Sequence, residues 1–410
     1  MPNASVTTKC CVAGGGPAGV MLGFLLARAG VDVVVLEKHA DFLRDFRGDT
    51  IHPSTLELMY ELGLLDDFLK LPHQKLDHLT AQIGNERVRI VDLTHLPTRC
   101  KYIALMPQWD FLDFLADRGK RYPTFDLRMR AEATDLIEEG GRVVGVRART
   151  PDGELSIRAD LVVGADGRHS TVREKAGFKR DDYGAPMDVL WFRLPRAKAD
   201  ETETFGHVEA GVMMIMLNRG DYWQCAFVIP KGGIDGLKAD GLDAFRKRVV
   251  SMSPFLADSV ARLASWDDIK LLTVTVDRLR QWWRPGLICI GDAAHAMSPI
   301  GGVGVNLAVQ DGVAAANQLA APLKAGRAGD DDLRAIQARR AFPARVTQRI
   351  QLIMQNQIVR RVLSGTERPK PPFLLKLLER VPLLQRIPGR LLAVGVRPEH
   401  IHTPDILAPL

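Results

Sequence analysis

Three glycines near the amino terminus have the spacing that phosphate binding requires. Gly14, Gly16 and Gly19 follow a predicted buried strand and lead into a predicted helix. In such a turn the first glycine permits a tight bend, the second lets a pyrophosphate approach the backbone, and the third lets helix and strand pack closely. The helix N-terminus, where Pro17 and Ala18 lie, offers N–H groups to the phosphates. The segment therefore predicts a dinucleotide-binding loop.

An acidic residue at the end of the next predicted strand supports this interpretation. A strand is predicted over residues 31–36, which are apolar except for Asp32, and Glu37 follows it, 18 residues after the third glycine. A carboxylate at this position can accept hydrogen bonds from ribose hydroxyls, so we place Glu37 and its neighbour Lys38 in the cofactor site. NAD and FAD share this fingerprint, and the rest of the chain must decide between them.

Two later segments repeat the pattern of a strand followed by polar and glycine residues. A predicted strand over residues 159–165 precedes Asp166 and Gly167, and a second over residues 286–291 precedes Asp292. The loop and small-residue helix that follow contribute Pro299, Gly302, Gly304, Val305 and Asn306. Ligands of open α/β sheets bind beyond the carboxyl ends of the strands, so we expect all three segments to meet at one ligand.

In this order and at these separations, the three segments resemble the single-component FAD-dependent aromatic hydroxylases, the flavoprotein monooxygenases of the p-hydroxybenzoate and ubiquinone hydroxylase type. The resemblance implies that the glycine-rich loop holds the ADP half of FAD. It implies that Asp166 and Gly167 serve the pyrophosphate region and nicotinamide use, and that Asp292 binds the ribityl chain. Arg47 resembles the family arginine that faces the flavin, and Gln108 resembles its ribityl-side glutamine or arginine. The implied cofactor is FAD, with NADH or NADPH as co-substrate.

The residue types suit a flavin for chemical reasons as well. Asp292 can accept a hydrogen bond from a ribityl hydroxyl at the end of its strand. Gly302 and Gly304 leave no side chains beside the ring. The helix that starts near Val305 and Asn306 can point its N-terminus at the N1–C2=O edge of the flavin, where negative charge gathers on reduction.

Three residues are candidates for a catalytic role, namely Arg47, Pro299 and His52. By the resemblance, Arg47 faces the flavin, and Pro299 lies where oxygen and substrate approach the ring. Ending the strand-to-loop segment explains Pro299 equally well. His52 is expected to be a loop or pocket residue, with a substrate contact as the alternative, and His295 is expected to be structural.

The expected fold is α/β. It comprises a GR2-type Rossmann-like FAD-binding domain, an inserted antiparallel β-sheet that binds the substrate, and a C-terminal helical segment. The predicted boundaries are residues 1–75, 100–183 and 280–330 for the FAD-binding domain, residues 76–99 and 184–279 for the substrate domain, and residues 331–410 for the helical region.

The inserted sheet has two faces that the sequence does not distinguish. Strands are predicted over residues 189–194, 203–207, 211–217 and 222–229 because apolar residues alternate there. In the third strand one face carries Val212, Met214 and Met216, and the other carries Met213, Ile215 and Leu217. One face should line an apolar pocket, and the other should pack against a helix.

The predicted activity is NAD(P)H-dependent hydroxylation of an apolar aromatic substrate, which is phenolic, polyketide-like or a quinone precursor. A reduced flavin reacts with O2 to give a C4a-hydroperoxyflavin, whose distal oxygen attacks an electron-rich ring. Two alternatives on the same fold are a reductase that saturates prenyl double bonds and an epoxidase. A halogenase is disfavoured because residues 222–230 lack the Trp-x-Trp-x-Ile-Pro pattern.

Composition argues against several other classes of protein. The chain has 410 residues, a net charge of +6 and five cysteines without CxxC spacing, so we expect neither disulfides nor a metal. Nucleic-acid-binding modules are lacking. The N-terminal region contains no apolar run long enough to cross a bilayer, and we expect a cytoplasmic monomer or homodimer. The basic C-terminal region leaves a peripheral membrane contact open.

Overall fold

A computed structural model describes residues 4–43, 50–197, 205–372, 375, 377 and 380–408. Its strands are β1 (Ala4–Ala13), β2 (Val33–Glu37), β3 (Thr50–Ile51), β4 (Gln74–Leu76), β5 (His78–Ile83), β6 (Glu86–Asp92), β7 (Ile103–Leu105), β8 (Phe125–Met129), β9 (Glu132–Glu139), β10 (Arg142–Thr150), β11 (Gly153–Gly164), β12 (Arg180–Asp182), β13 (Met187–Pro195), β14 (Phe205–Glu209), β15 (Val212–Asn218), β16 (Tyr222–Pro230), β17 (Lys270–Leu272), β18 (Asp277–Leu279), β19 (Trp283–Arg284) and β20 (Leu287–Cys289).

The α-helices lie between and after these strands. They are α1 (Pro17–Arg28), α2 (Pro53–Glu61), α3 (Leu65–Phe68), α4 (Gln108–Gly119), α5 (Thr171–Lys175), α6 (Ile234–Asp240), α7 (Leu242–Met252), α8 (Val303–Lys324), α9 (Asp330–Met354), α10 (Arg360–Ser364) and α11 (Pro382–Ala393). A π-helical turn, Gln355–Val359, joins α9 to α10.

The first sheet has the strand order β19-β20-β11-β1-β2-β8, and β10 and β9 extend from β11. Strand β1 is parallel to both of its neighbours, and Ala13 lies opposite Leu36 of β2 and Gly164 of β11. Gly164 in turn lies opposite Cys289 of β20. The carboxyl ends of four parallel strands therefore meet at one edge. The predicted Rossmann-like α/β class is confirmed.

Helices cover the central strands of this sheet. The apolar runs of β1 and β2 are almost wholly inaccessible, as is usual for parallel strands. Helix α1 packs closely on α8, where a Cβ at Gly312 would lie 2.7 Å from the carbonyl oxygen of Ala18. The glycine at this crossing brings the N-terminal halves of both helices to the same edge of the sheet.

The second sheet has the order β17-β13-β16-β15-β14-β5-β6 and is antiparallel except between β14 and β5. Met214 and Met216 of β15 are fully buried in a cluster with Trp223 and with Phe245 of α7. The face that carries them packs against α7, and part of the opposite face packs against the helical turns that follow α9. The opposite face is a candidate wall of the substrate pocket.

The C-terminal segment packs on the body of the protein. Ala393, at the end of α11, is buried against Val91 and Ile103. Farther on, Arg28 of α1 donates a hydrogen bond of 2.6 Å to the carbonyl of Thr403. Within the described ranges, none of the helices combines the length and the apolar character needed to cross a bilayer. The division of the chain into three domains stays a prediction.

Candidate FAD site

The three motif segments meet at the carboxyl edge of the first sheet. Gly14 has a φ of +111°, and a Cβ there would lie 2.3 Å from the carbonyl oxygen of Ala165. The amide of Ile290 donates to the carbonyl of Gly164 at 2.9 Å. A Cβ on Gly291 would lie 3.1 Å from the Cβ of Ala18. Segments more than 100 residues apart in the chain therefore form one continuous surface.

Gly16 leaves open space at the N-terminus of α1. The nearest atom to a Cβ placed on Gly16 is 4.0 Å away, whereas a Cβ on Gly19 would lie 1.9 Å from the oxygen of Gly14. Gly16 is the N-cap of α1, Pro17 follows it, and no side chain caps the helix or places an acid in its first turn. Gly14 and Gly19 thus allow the close packing of the loop, the strand and the helix, and the open space at Gly16 fits a phosphate group.

Glu37 lies at the end of β2 beside the glycine-rich loop. The residue is 7% exposed, and its Oε1 accepts a hydrogen bond of 2.9 Å from the amide of His39. Its Oε2 lies 3.1 Å from the position that a Cβ on Gly15 would take. The carboxylate is therefore held next to the loop, where it could accept hydrogen bonds from a ribose. Its neighbour Lys38 is exposed.

Asp166 bonds mainly to the segment that follows it. Its carboxylate accepts hydrogen bonds from the hydroxyl of Ser170 and, at 3.1 Å, from the amide of Val172 at the start of α5. Burial raises the pKa of Asp166, which those hydrogen bonds oppose. Gly167 has a φ of +85° with open space around its Cβ position. Asp166 therefore shapes the turn, and Gly167 is the point that a ligand can approach.

Asp292 follows β20 in a short 3-10 turn. Its side chain is 30% exposed, and Arg168 Nη2 lies 3.4 Å from its Oδ2. Arg173 is buried and donates to the carbonyls of Ala293, at 3.2 Å, and Arg168, at 2.5 Å. These two arginines tie the second and third segments together. Neither arginine was predicted as a site residue from the sequence, although Arg168 lies just before α5 and Arg173 lies within it.

The loop before α8 turns at glycines. Gly302 is left-handed with a φ of +63°, it is the N-cap of α8, and no side chain caps this helix. Thr50 donates to the carbonyl of Gly302 at 3.0 Å, and the amide of Gly302 donates to Pro299 at 3.0 Å. Gly304 and Val305 lie in the first turn of α8, which has no acidic residue. The helix terminus can therefore face an electron-rich group.

Asn306 joins α8 to the start of α2. Its Oδ1 accepts from the amide of His52 at 2.8 Å and from the hydroxyl of Thr55 at 2.7 Å. Its Nδ2 donates to the carbonyl of Thr50 at 3.1 Å. The side chain is buried and engaged with protein groups, so it fixes the loop, and its contact with a cofactor stays a prediction.

His52 is fully buried at the N-terminus of α2. Its Nδ1 lies 2.9 Å from the carbonyl oxygen of Leu392 in α11, which assigns the ring proton to Nδ1. Leu392 also covers the loop, since a Cβ on Gly301 would lie 2.7 Å from Leu392 Cδ1. Burial lowers the pKa of His52 to about 4, so the imidazole is neutral near pH 7.

This burial predicts a loss of stability in mild acid. The unfolded chain binds a proton at His52 below about pH 6.5, whereas the folded protein does so only near pH 4. The contribution of His52 to the free energy of unfolding is therefore fully present above pH 6.5. About 3 kcal/mol of it is lost as the pH falls to 4. Thermal unfolding at pH 7 and pH 5 should show a larger drop in Tm for the wild type than for His52→Gln. Equal drops would contradict the assignment.

Three predicted site residues remain, namely Gln108, Arg47 and Pro299. Gln108 is the first residue of α4 and is half-buried, and its neighbour Trp109 lies 5.9 Å from the guanidinium of Arg193 on the second sheet. Arg47 lies outside the described residues. Its role toward the flavin stays a prediction, as does the catalytic role of Pro299.

One face of the second sheet meets the loop before α8. Met213 and Ile215 of β15 pack in one cluster with Val228 and with Ile300, which follows Pro299. Met214, on the opposite face, is fully buried against α7. The face of Met213 is therefore the one that lies toward the loop.

This assignment predicts different costs for neighbouring methionines. Met214→Ala should lower the free energy of unfolding by about 2–5 kcal/mol because it leaves a cavity in a closed core. Met213→Ala should cost less than half as much, since Met213 is only partly buried. Thermal or denaturant unfolding of both variants provides the measurement. A larger loss in Met213→Ala would mean that the faces are reversed.

Comparison with known proteins agrees with this fold. The family model described as FAD binding domain matches residues 7–350. The chain is 33% identical over 378 residues to 6-methylpretetramide 4-monooxygenase of Streptomyces rimosus, covering 91% of this chain and 90% of that enzyme. It is 29% identical to rifampicin monooxygenase of Streptomyces venezuelae over 73% of this chain, but it spans only 61% of that enzyme's length.

A solved structure shares the fold. The OxyS anhydrotetracycline hydroxylase from Streptomyces rimosus superposes with a TM-score of 0.72 at 23% identity, covering 95% of this chain and 77% of that one. The family match and the relative of 33% identity define a flavin-dependent oxidoreductase. The chain belongs to the FAD-binding-domain family of flavoprotein monooxygenases, and FAD is its cofactor.

Proposed function

We propose that this monooxygenase hydroxylates an apolar, polycyclic aromatic substrate of the polyketide type, with NADH or NADPH as the reductant. The observation that carries the proposal is the apolar sheet face at the loop before α8, where Met213, Ile215 and Val228 pack near Ile300. The relatives support the substrate class, since 6-methylpretetramide 4-monooxygenase matches over nearly its whole length.

The residues at the sheet edge suit the parts of FAD in order. We assign the pyrophosphate to the N-terminus of α1 at Gly16, the adenosine ribose to Glu37, and the ribityl chain to Asp292. The open Cβ direction of Gly16 and the uncapped N-terminus of α1 support the first assignment. When bound, FAD takes up electrons from the nicotinamide and activates O2 for transfer to the substrate.

The surrounding protein orients the ring and excludes water in this proposal. The N-terminus of α8 at Gly302 stabilises negative charge at the nearest edge of the ring. Leu392 of α11 covers the loop at Gly301 and orients the His52 ring through its carbonyl, while burial keeps the imidazole neutral. His52 therefore acts in this proposal as a fixed, uncharged part of the wall.

A cytoplasmic location belongs to the same proposal. A peripheral membrane contact through the basic C-terminal region and the choice between monomer and homodimer stay predictions. Neither the prenyl reductase nor the epoxidase alternative gains support from a specific contact in the described residues.

Oxygen labelling of the product tests the proposed reaction. The holoenzyme is supplied with NADH or NADPH and a panel of tricyclic and tetracyclic aromatic polyketides, and the oxidation of the nicotinamide and the release of peroxide are followed. A substrate should accelerate the oxidation with little peroxide and gain one hydroxyl oxygen from ¹⁸O2. A saturated product formed without O2 would identify the reductase, and an epoxide would identify the epoxidase. Either result would contradict the hydroxylase.

A further inference from the structure

A buried carboxylate in α8 binds the backbone next to the proposed ribityl site. Asp311 is completely inaccessible, and its Oδ2 accepts hydrogen bonds from the amide of Gly291 at 3.0 Å and from His295 Nε2 at 2.6 Å. Its Oδ1 accepts from Arg340 Nε at 2.8 Å. Burial raises the pKa of Asp311, but the hydrogen bonds and charges of His295 and Arg340 outweigh it and lower the pKa below its usual value. Asp311 is therefore ionised.

The buried charges continue into the C-terminal segment. Arg340 of α9 is also completely inaccessible, and its Nη1 donates to Glu399 Oε1 at 2.9 Å. Glu399 is 7% exposed and also accepts two hydrogen bonds, of 2.8 and 3.1 Å, from Arg339. One chain of contacts thus runs from Glu399, near the carboxyl end of the sequence, to the amide of Gly291.

The Gly291 turn, where this series of contacts ends, has little room to move. Gly291 has a φ of +58°, and a Cβ there would meet Ala18 at 3.1 Å and Ala308 at 3.4 Å. The turn is therefore enclosed by α1 and α8, and Asp292 is the next residue. Interiors are close-packed, so a shift of the Asp311 carboxylate must move this turn with it.

We propose that Glu399 is a positioning residue for FAD. Through Arg340 it fixes Asp311, which holds the Gly291 turn and so aims Asp292 at the ribityl chain. The C-terminal segment is then part of the cofactor site without touching the cofactor. This inference rests on the proposed function, in particular on the contact between Asp292 and the ribityl chain. Removing one partner from a buried ion network leaves an uncompensated charge, so a substitution at Glu399 should disturb Arg340 and the Asp311 carboxylate that Arg340 holds.

The dissociation constant of FAD tests this proposal. Apoprotein is titrated with FAD, and the quenching of flavin fluorescence is followed for the wild type, Glu399→Gln, Glu399→Asp and Arg334→Gln. Glu399→Gln should weaken binding by about tenfold, and Glu399→Asp, which keeps the charge but shortens the reach, by about threefold. Arg334 lies on the exposed face of α9, the helix that carries Arg340, and pairs with Asp331. Arg334→Gln should therefore bind FAD like the wild type.

Met214→Ala separates positioning from general stability. It destabilises the core of the second sheet, which contains none of the residues of this network, so it should lower the melting temperature and still bind FAD like the wild type. The Glu399 variants should lose affinity even where their melting temperature falls no further than that of Met214→Ala. Equal losses of affinity in Met214→Ala and Glu399→Gln, or an unchanged affinity in Glu399→Gln and Glu399→Asp, would overturn the proposal.

Asp292→Ala distinguishes this inference from the proposed function. If Asp292→Ala weakens FAD binding and the Glu399 variants do not, only the positioning inference fails. If Asp292→Ala binds FAD like the wild type, the ribityl contact is wrong, and the inference fails with it.

Discussion

The Gly16→Val variant should fold and lose FAD. Gly16 has an extended backbone conformation that valine adopts readily, and the nearest atom to the new Cβ outside the adjacent residues is the carbonyl oxygen of Ala165, at 4.0 Å. The added side chain would occupy the space proposed for the pyrophosphate, so we expect affinity to fall by ~100-fold or more. Titration of the apoprotein with FAD measures the loss, and circular dichroism and thermal unfolding establish that the variant is folded.

Two other glycines serve as controls for this variant. Gly236 is an exposed residue of α6 whose Cβ position is also open, so Gly236→Val should bind FAD like the wild type. Gly19→Ala should instead destabilise the fold, because its Cβ would lie 1.9 Å from the carbonyl of Gly14. A yellow Gly16→Val protein with wild-type affinity would show that the pyrophosphate lies elsewhere.

Asp292→Ala should weaken FAD binding by about 1–3 kcal/mol, the cost of losing a charge-assisted hydrogen bond. That range corresponds to a loss of affinity of roughly 5- to 150-fold. Asp292→Asn keeps an acceptor oxygen and should lose less. The measurement is the cofactor content after gel filtration, together with the dissociation constant of the apoprotein for FAD.

A surface aspartate provides the matched control for Asp292→Ala. Asp160 pairs with Lys9 at 3.1 Å on the exposed side of the sheet, away from its carboxyl edge. Asp160→Ala changes the net charge equally and should retain FAD. Equal retention by both variants would remove Asp292 from the cofactor site.

Much of the fold could be predicted from the sequence because its signals are local. Strand β1, the glycines and helix α1 follow each other within 25 residues, and the fold leaves no room for a Cβ at Gly14 or Gly19. The same holds for the turns after β11 and β20, where Asp166 and Asp292 follow buried strands. Parallel strands with covered faces have a continuous apolar pattern, which made the first sheet recognisable.

The faces of the second sheet could not be assigned because both are apolar. Met213 and Met214 are adjacent and chemically identical, and only the position of α7 and of Ile300 shows which one lies in the core. The alternation of the strand gives two faces but does not say what covers each of them.

The buried charge network could not be predicted for a different reason. Asp311, Arg340 and Glu399 lie on two helices and a C-terminal segment, and their spacing follows no local period. In the sequence each one looks like an ordinary surface residue. Asn306 presents the reverse case, since its position in the motif was evident but its side chain bonds to the start of α2.

A crystal structure of the holoenzyme tests the central claim most directly. We predict the FAD pyrophosphate at hydrogen-bond distance, about 3 Å, from the amides at the start of α1, the ribityl chain at the same distance from Asp292, and the ring beside residues 299–304. FAD bound away from the carboxyl edge of the first sheet, or with its ring remote from that loop, would contradict the account.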